Sequence, residues 1–404
     1  MLHKMLPYLI LTVTLFTTPM AFSKEPVTIT IWAMGEEGLN LEKITPRFEK
    51  ENPDIKVKVV QIPWNLAYDK LITAVAGGTA PDLAQVGTTW MAAFAAMGAL
   101  LPLDEFVARS EIVSPDHFFP GSWNTGVVGN VVYGIPWYVD VRVLYYRTDI
   151  LHAAGFDHPP TSWEELFEVA RVLAKKGNYG LALSPHWQEF LPFVWQAGGD
   201  VLDETLTRPR VTEPEFIEAL EFFVSLFQTG LAPIGETIDL FEAFRTGFYP
   251  MFFSGPWMVE LISSRLPDIK GRWSIAMMPK KVTRASFVGG SNWAIFSGTR
   301  YPEECWRFIE FMVRPDVQVE WYRILRALPA VKAAWQDPFI AEEPMMQVFG
   351  AQLEEAVAPP ATPAWEEIAQ AIMHRVEEAI RGVRSPAEAV QLLDQDIRTI
   401  LARF

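Results

Sequence analysis

The sequence predicts an α/β fold in two domains, and three observations lead there. Strand-like and helix-like patterns alternate from Val27 to Val86, and alternation of that kind means a largely parallel sheet flanked by helices. A chain of 404 residues exceeds what one hydrophobic core usually serves. Finally, no internal repeat and no low-complexity linker divides the chain, so it is expected to cross between its domains more than once.

The N-terminus comes first. His3 and Lys4 precede an apolar stretch from Leu6 to Phe16, and Ala21-Phe22-Ser23 follows. That order reads as a secretory signal peptide over residues 1–23, cleaved to leave a periplasmic protein. Thr12, Thr14, Thr17, Thr18 and Pro19 interrupt the stretch, which falls short of the ~20 apolar residues of a spanning helix; an uncleaved anchor is the alternative. The only cysteine is Cys305. No cysteine follows the apolar stretch, so no lipid anchor is expected, and no intramolecular disulfide can form. Cys305, Phe308, Ile309 and Met312 share one helical face, which reads as a buried thiol.

Val27 to Ile31 alternates as a half-buried strand, Leu41 to Lys50 carries helical spacing, and Ile55, Val57 and Val59 alternate with lysines in a second strand. The unit recurs as a helix over Leu66–Ala76, a turn at Gly77-Gly78-Thr79-Ala80-Pro81 and a strand over Asp82–Val86. A strand is expected at Val141–Arg147. Thr161 to Glu164 and Ser162 to Glu165 have capping-box spacing and open a helix to about Lys175. Helices are expected at Glu213–Gln228, Asp239–Arg245 and Pro256–Arg265, and strands at Trp273–Met277 and Trp293–Phe296. The last hundred or so residues read as mainly helical.

The net charge of −15 argues against nucleic acid, which needs clustered lysine and arginine. The six histidines lack metal-ligand spacing, and Gly289-Gly290-Ser291-Asn292-Trp293 is not a G-x-S-x-G elbow. No P-loop, dinucleotide-binding glycine pattern or calcium loop occurs, so neither a cofactor nor a metal is expected. A glycosidase carboxylate pair stays open, because its two acids can lie far apart in the chain; Glu36, Glu37 and Asp140 are candidates. Fifteen tryptophans raise the expectation of a site built from flat stacking surfaces.

Several blocks together resemble the extracellular solute-binding proteins of ABC importers, the family of the maltose- and trehalose-binding proteins. They are Ile29-Thr-Ile-Trp32 with Phe48 to Val57; Ala76 to Asp82 with Gly98 to Asp104; Tyr133 to Trp137 with Leu144 to Arg147 and Pro159 to Glu165; Phe244 to Gly247 with Met251 to Trp257; and Phe287 to Gly290 with Trp306 to Ile309 and Leu328 to Ala330. Their order and spacing cover nearly the whole chain after the apolar stretch. The resemblance implies a two-lobe, type II-like periplasmic-binding-protein fold, each lobe a mainly parallel sheet with helices, joined by a hinge. It places residues 24–138 with 287–328 in one lobe and 139–286 with 329–404 in the other. It also implies a monomer that binds a neutral di- or oligosaccharide between the lobes, performs no catalysis and docks on membrane permease subunits.

Site residues follow from the resemblance position by position. Glu36 and Asp140 fall where relatives place acids that accept sugar hydroxyls; an ordinary surface acid is the alternative for each. Trp257 falls where a pyranose stacks, with a core role as the alternative. Trp187 and Gln188 match a ligand-facing segment, Trp137 lies in the first hinge crossing, and Arg326 matches a basic position loosely. Gly289, Gly290 and Ser291 would bring backbone N–H groups close to ligand. Thr88, Thr89 and Trp90 follow the third strand, and Thr89-Trp90 stands where some maltose binders carry Asp-Arg, so the sugar or its orientation should differ from maltose. Glu37 stands where those binders carry lysine. A glycerophosphodiester served by Arg142 and Arg326 is the alternative ligand.

Overall fold

The computed structural model describes residues 25–174, 177–235 and 238–404; the expected signal peptide lies outside them. Strands β1 (Val27–Met34) and β2 (Ile55–Ile62) pair in parallel from Val27 opposite Ile55 to Met34 opposite Ile62. The expected helix between them begins earlier and is broken. Helix α1 spans Gly35–Asn40, a 3-10 turn follows at Leu41–Lys43, and a further helical stretch covers Thr45–Glu51. Pro46 explains the restart, since proline is tolerated in a first turn but not inside a helix. Helix α2 (Trp64–Ala76) then leads to β3 (Leu83–Gly87), which lies parallel to β1 on its other side.

The longer remaining strands are β4 (Ile135–Val141), β5 (Val143–Arg147), β6 (Met251–Ser254), β7 (Trp273–Ala276) and β8 (Ser286–Ile295), with the short β9 (Leu328–Pro329). One sheet has the order β9-β4-β8-β3-β1-β2, with Ala356–Val357 added to β8; a second is β6-β5-β7, and Val127–Val128 pairs with Val131–Val132 in a small hairpin. The longer helices that matter below are α3 (Trp163–Leu173), α4 (Trp187–Ala197), α5 (Pro214–Gln228), α6 (Trp257–Arg265), α7 (Pro302–Met312), α8 (Pro315–Leu325), α9 (Trp365–Ile380) and α10 (Pro386–Leu401).

The α/β class and the two-lobe architecture stand, but the expectation of mainly parallel sheets is corrected. Pairing is parallel among β1, β2 and β3, whereas β8 runs antiparallel to both β3 and β4, and β9 antiparallel to β4. In the second sheet β5 runs antiparallel to both β6 and β7. The cause is the crossing of the chain. A βαβ unit, β6-α6-β7, is present, but β5 arrives directly from the first sheet, sits between its two strands and runs the other way. Strand β8 returns to the first sheet with the same result.

Three strand segments meet side by side: Val139 pairs with both Gly290 and Leu328, and Tyr138 with both Ser291 and Pro329. Beside them Trp137, Trp293 and Trp321 form a fully buried stack, with ring centroids 4.2 and 5.0 Å apart. Cys305 is buried in α7 with Phe308, Ile309 and Met312, and burial pushes its thiol far above the ordinary range. Helix α3 opens as its sequence suggests. Ser162 accepts the Glu165 N–H, while the Glu165 carboxylate accepts from the N–H and hydroxyl of Thr161. No helix of the described residues is long and apolar enough to cross a membrane.

Candidate ligand-binding cleft

A cavity of about 880 Å³ is lined by Glu36, Trp64 and Trp90 on one side and by Asp140, Trp187 and Trp257 on the other. Its residues come from strand ends and helix starts, where ligands of α/β sheets gather. β1 ends at Met34, and Gly35 turns the chain with φ +53°. A Cβ on Gly35 would lie 2.6 Å from the Trp64 ring, so glycine serves both the turn and the close approach of the indole. Glu36 and Glu37 then occupy the first turn of α1. Thr88, Thr89 and Trp90 form a 3-10 turn directly after β3. The facing wall is built from Asp140 on β4, Trp187 and Gln188 at the start of α4, and Trp257 and Glu260 on α6.

Two expected residues do not line the cleft. Trp137 is fully buried in the indole stack, because strand alternation turns Tyr138 and Asp140 toward the cleft and Trp137 to the core. Ser291 is buried too: its hydroxyl donates to the Tyr138 hydroxyl at 3.1 Å and accepts from Gln85 at 3.0 Å. It braces the floor and does not touch the cavity. The other expected residues, Glu36, Thr88, Thr89, Trp90, Asp140, Trp187, Gln188, Trp257, Gly289, Gly290 and Arg326, all line it.

Their geometry refines what each can do. Trp257 is 42% exposed, Trp64 36% and Trp187 only 7%. Trp187 is held edge-on against Phe287 and Trp365 at 5.1 and 5.2 Å, so the open indole faces belong to Trp257, Trp64 and the half-buried Trp90. The Arg142 guanidinium lies 4.6 Å from the Trp257 ring centroid. It donates to both Asp140 oxygens at 2.9 and 2.8 Å and to Gln188 Oε1 at 3.3 Å. One arginine thus sets the carboxylate, the amide and the indole in place. Burial pushes the Asp140 carboxyl above its ordinary value, against the pull of Arg142.

Glycines 289 and 290 serve the backbone more than a ligand. A Cβ on Gly290, at φ +110°, would fall 2.2 Å from the Tyr138 carbonyl oxygen, and one on Gly289 2.7 Å from the Phe287 ring. Arg326 caps α8 with φ +57°, sits over the Tyr322 ring at 5.1 Å and reaches Glu343 at 3.5 Å.

Sequence reasoning missed Trp64, Tyr138, His186, Glu260 and Glu366 as lining residues. Tyr138 shares the strand face of Asp140, so period-two alternation would have found it. Trp64 opens a helix directly after a strand, which is also a local signal. Glu366 comes from α9, for which no local pattern points to the cleft. Burial raises the Glu37 carboxyl above its ordinary value, opposed by hydrogen bonds from its own N–H, the Tyr138 hydroxyl and the Trp64 indole. Burial likewise raises Glu366, opposed by the Thr89 hydroxyl. No group of three or more potential metal ligands occurs among the described residues.

Comparison with known proteins places this geometry. The profile of the family described as bacterial extracellular solute-binding protein matches residues 33–319. The solved sugar-binding protein MalE of Xanthomonas citri is 35% identical and superposes with a TM-score of 0.89, covering 93% of this chain and 98% of that one. A Thermotoga lettingae ABC-transporter solute-binding protein solved with α-D-tagatose is 28% identical, with a TM-score of 0.80 over 93% of this chain and 100% of that one. A maltotriose-binding protein of Pyrococcus abyssi is 24% identical over 362 residues, 87% of this chain and 75% of that protein.

Proposed function

The chain belongs to the bacterial extracellular solute-binding proteins, and from that premise we propose that it captures a neutral di- or oligosaccharide in the cleft and delivers it to the permease of an ABC importer. The observation that carries this reading is the composition of the cleft. Open indole faces from Trp64, Trp90 and Trp257 stand among carboxylates, and Arg326, the one lining arginine among the described residues, donates to Glu343. Pyranose rings offer apolar faces to indoles, and their hydroxyls donate to carboxylates in charge-assisted bonds. The cavity volume falls within the range usual for small-ligand sites. A micromolar complex needs about −8 kcal/mol, within reach of a few stacked rings and ionic hydrogen bonds after ordering costs. Relatives that bind tagatose and maltotriose support the same class of ligand.

The lobes are proposed to divide as residues 24–138 with 287–328 and 139–286 with 329–404, and to close by a hinge at the three adjacent crossings. A glycerophosphodiester is less well served. Arg142 donates to Asp140 and Gln188, and Arg326 to Glu343, so each guanidinium already carries an acceptor with which a phosphate would have to compete. Hydrolysis is disfavoured by the same pairing, since Asp140 already accepts two bonds from Arg142. A thermal-shift screen over neutral mono-, di- and oligosaccharides and glycerophosphodiesters tests the reading. At a hundred times Kd a ligand stabilises by about 2.7 kcal/mol, which raises the melting temperature. The expected result is a rise with a neutral saccharide; a rise with phosphodiesters alone would overturn the proposal.

A further inference from the structure

Glu366 belongs to two cavities. It lines the main cleft, and it also lines a second crevice of about 590 Å³ whose walls include Tyr68, Met97, Leu206 and Pro363. It therefore stands where one gives way to the other. Thr89 lines the same cleft, and its hydroxyl opposes the effect of burial on the Glu366 carboxyl; Glu366 itself stands as a bar at the passage.

The facing wall is continuous past that bar. Trp64 and Trp90 have ring centroids 5.6 Å apart, and Trp90 and Tyr68 5.5 Å. A row of rings thus runs from the cleft, where Trp64 and Trp90 lie, into the crevice, where Tyr68 lies. A saccharide stacked along this row meets Glu366 and Thr89 before it reaches Tyr68. The bar is also firmly seated. Glu366 directly follows Trp365, which is 1% exposed and packs edge-on against Trp187 at 5.2 Å. Close-packed interiors resist such a backbone shifting aside.

Resting on the saccharide reading above, we infer that Glu366 sets the length of the ligand. It closes one end of the cleft and keeps longer chains out of the crevice beyond, which has room and an aromatic wall for further sugar units. Its carboxylate also accepts a hydroxyl from the terminal unit that abuts it.

The test is calorimetric titration of the wild type, Glu366→Ala and Glu366→Gln with α-1,4-linked glucose oligomers and β-1,4-linked mannose oligomers, from dimer to hexamer. The readout is the ratio of hexamer to dimer affinity within each protein, which a general loss of stability does not move. Glu366→Ala should raise that ratio about tenfold, one 1.4 kcal/mol step. Glu366→Gln keeps the length of the side chain and should hold the ratio of the wild type. If Glu366→Ala does not fold, Glu366→Ser, which also shortens the bar, is read in the same way. An unchanged ratio in a wild type that binds sugar overturns this inference alone, as does a wild type that already prefers the hexamer. A wild type that binds neither these series nor any neutral saccharide of the thermal-shift screen overturns the saccharide reading together with it.

Discussion

Trp257 presents a flat ring to the cleft from the first turn of α6, and its truncation to alanine separates binding from folding. An indole side chain buries up to about 250 Å²; with 42% of the residue exposed, on the order of 100 Å² is left for a ligand to cover. At ~25 cal/mol per Å² this is worth about 2.5 kcal/mol, or about 60-fold in Kd. The Arg142 guanidinium lies against the ring, so the sugar is expected on the side that Arg142 leaves open. Trp137→Ala is the control. That ring is 0% exposed and stacked on two others, and its loss should cost about 3–5 kcal/mol of stability. Melting curves without ligand and calorimetric titrations with the sugar from the thermal-shift screen measure both quantities. If Trp257→Ala melts as early as Trp137→Ala and yet binds as tightly as the wild type, Trp257 is a core residue and the placement of the cleft fails.

Arg142→Met should destabilise the fold by about 3–5 kcal/mol, because it strands the Asp140 carboxylate, whose side chain is only 14% exposed. Adding Asp140→Asn should recover most of that loss in denaturant titrations, and strictly additive effects would exclude the coupling. Burial lifts the Glu189 carboxyl from 4.5 to about 7, even though it accepts from the N–H and hydroxyl of Ser184. The folded protein therefore holds this proton more tightly than the unfolded chain. Its contribution to stability is full below about pH 4.5 and is lost as pH rises to about 7, a fall of about 3 kcal/mol. Unfolding measured across that window should show the slope in the wild type and not in Glu189→Gln; an equal slope in the variant would clear Glu189 as the source. Small-angle scattering should give a smaller radius of gyration with saturating sugar, since ligand favours closure only through contacts made in the closed state; no change would count against the hinge.

Much of the scaffold was legible because its signals are local. Alternation marked β1 and β2, and helical spacing marked the buried face of α7 around Cys305. Strand direction was not legible. Whether β8 runs with β3 or against it depends on where the chain has been before it returns, and no residue of β8 records that. The site divides in the same way. Glu36, Trp90 and Trp257 follow from the family resemblance, and each lies at a strand end or helix start lining the cavity. Trp137 lies within β4 on the face opposite Asp140, so alternation alone would have turned it to the core; its stacking on Trp293 and Trp321 was not legible. Glu366 is drawn to the cleft by the packing of Trp365 on Trp187, a contact between segments far apart in sequence. The engagement of Arg142 with Asp140, Gln188 and Trp257 is likewise tertiary, and it is what turns Arg142 from a ligand for phosphate into a brace.

The central claim is that the cleft takes up a neutral saccharide and leaves it unchanged. One calorimetric titration of the wild type with the saccharide chosen by the screen, followed by chromatography of the sugar recovered from the cell, addresses both halves. Saturable one-to-one binding and recovery of the intact sugar are expected. Absence of saturable binding to any neutral saccharide, or recovery of hydrolysed product, would contradict uptake without turnover.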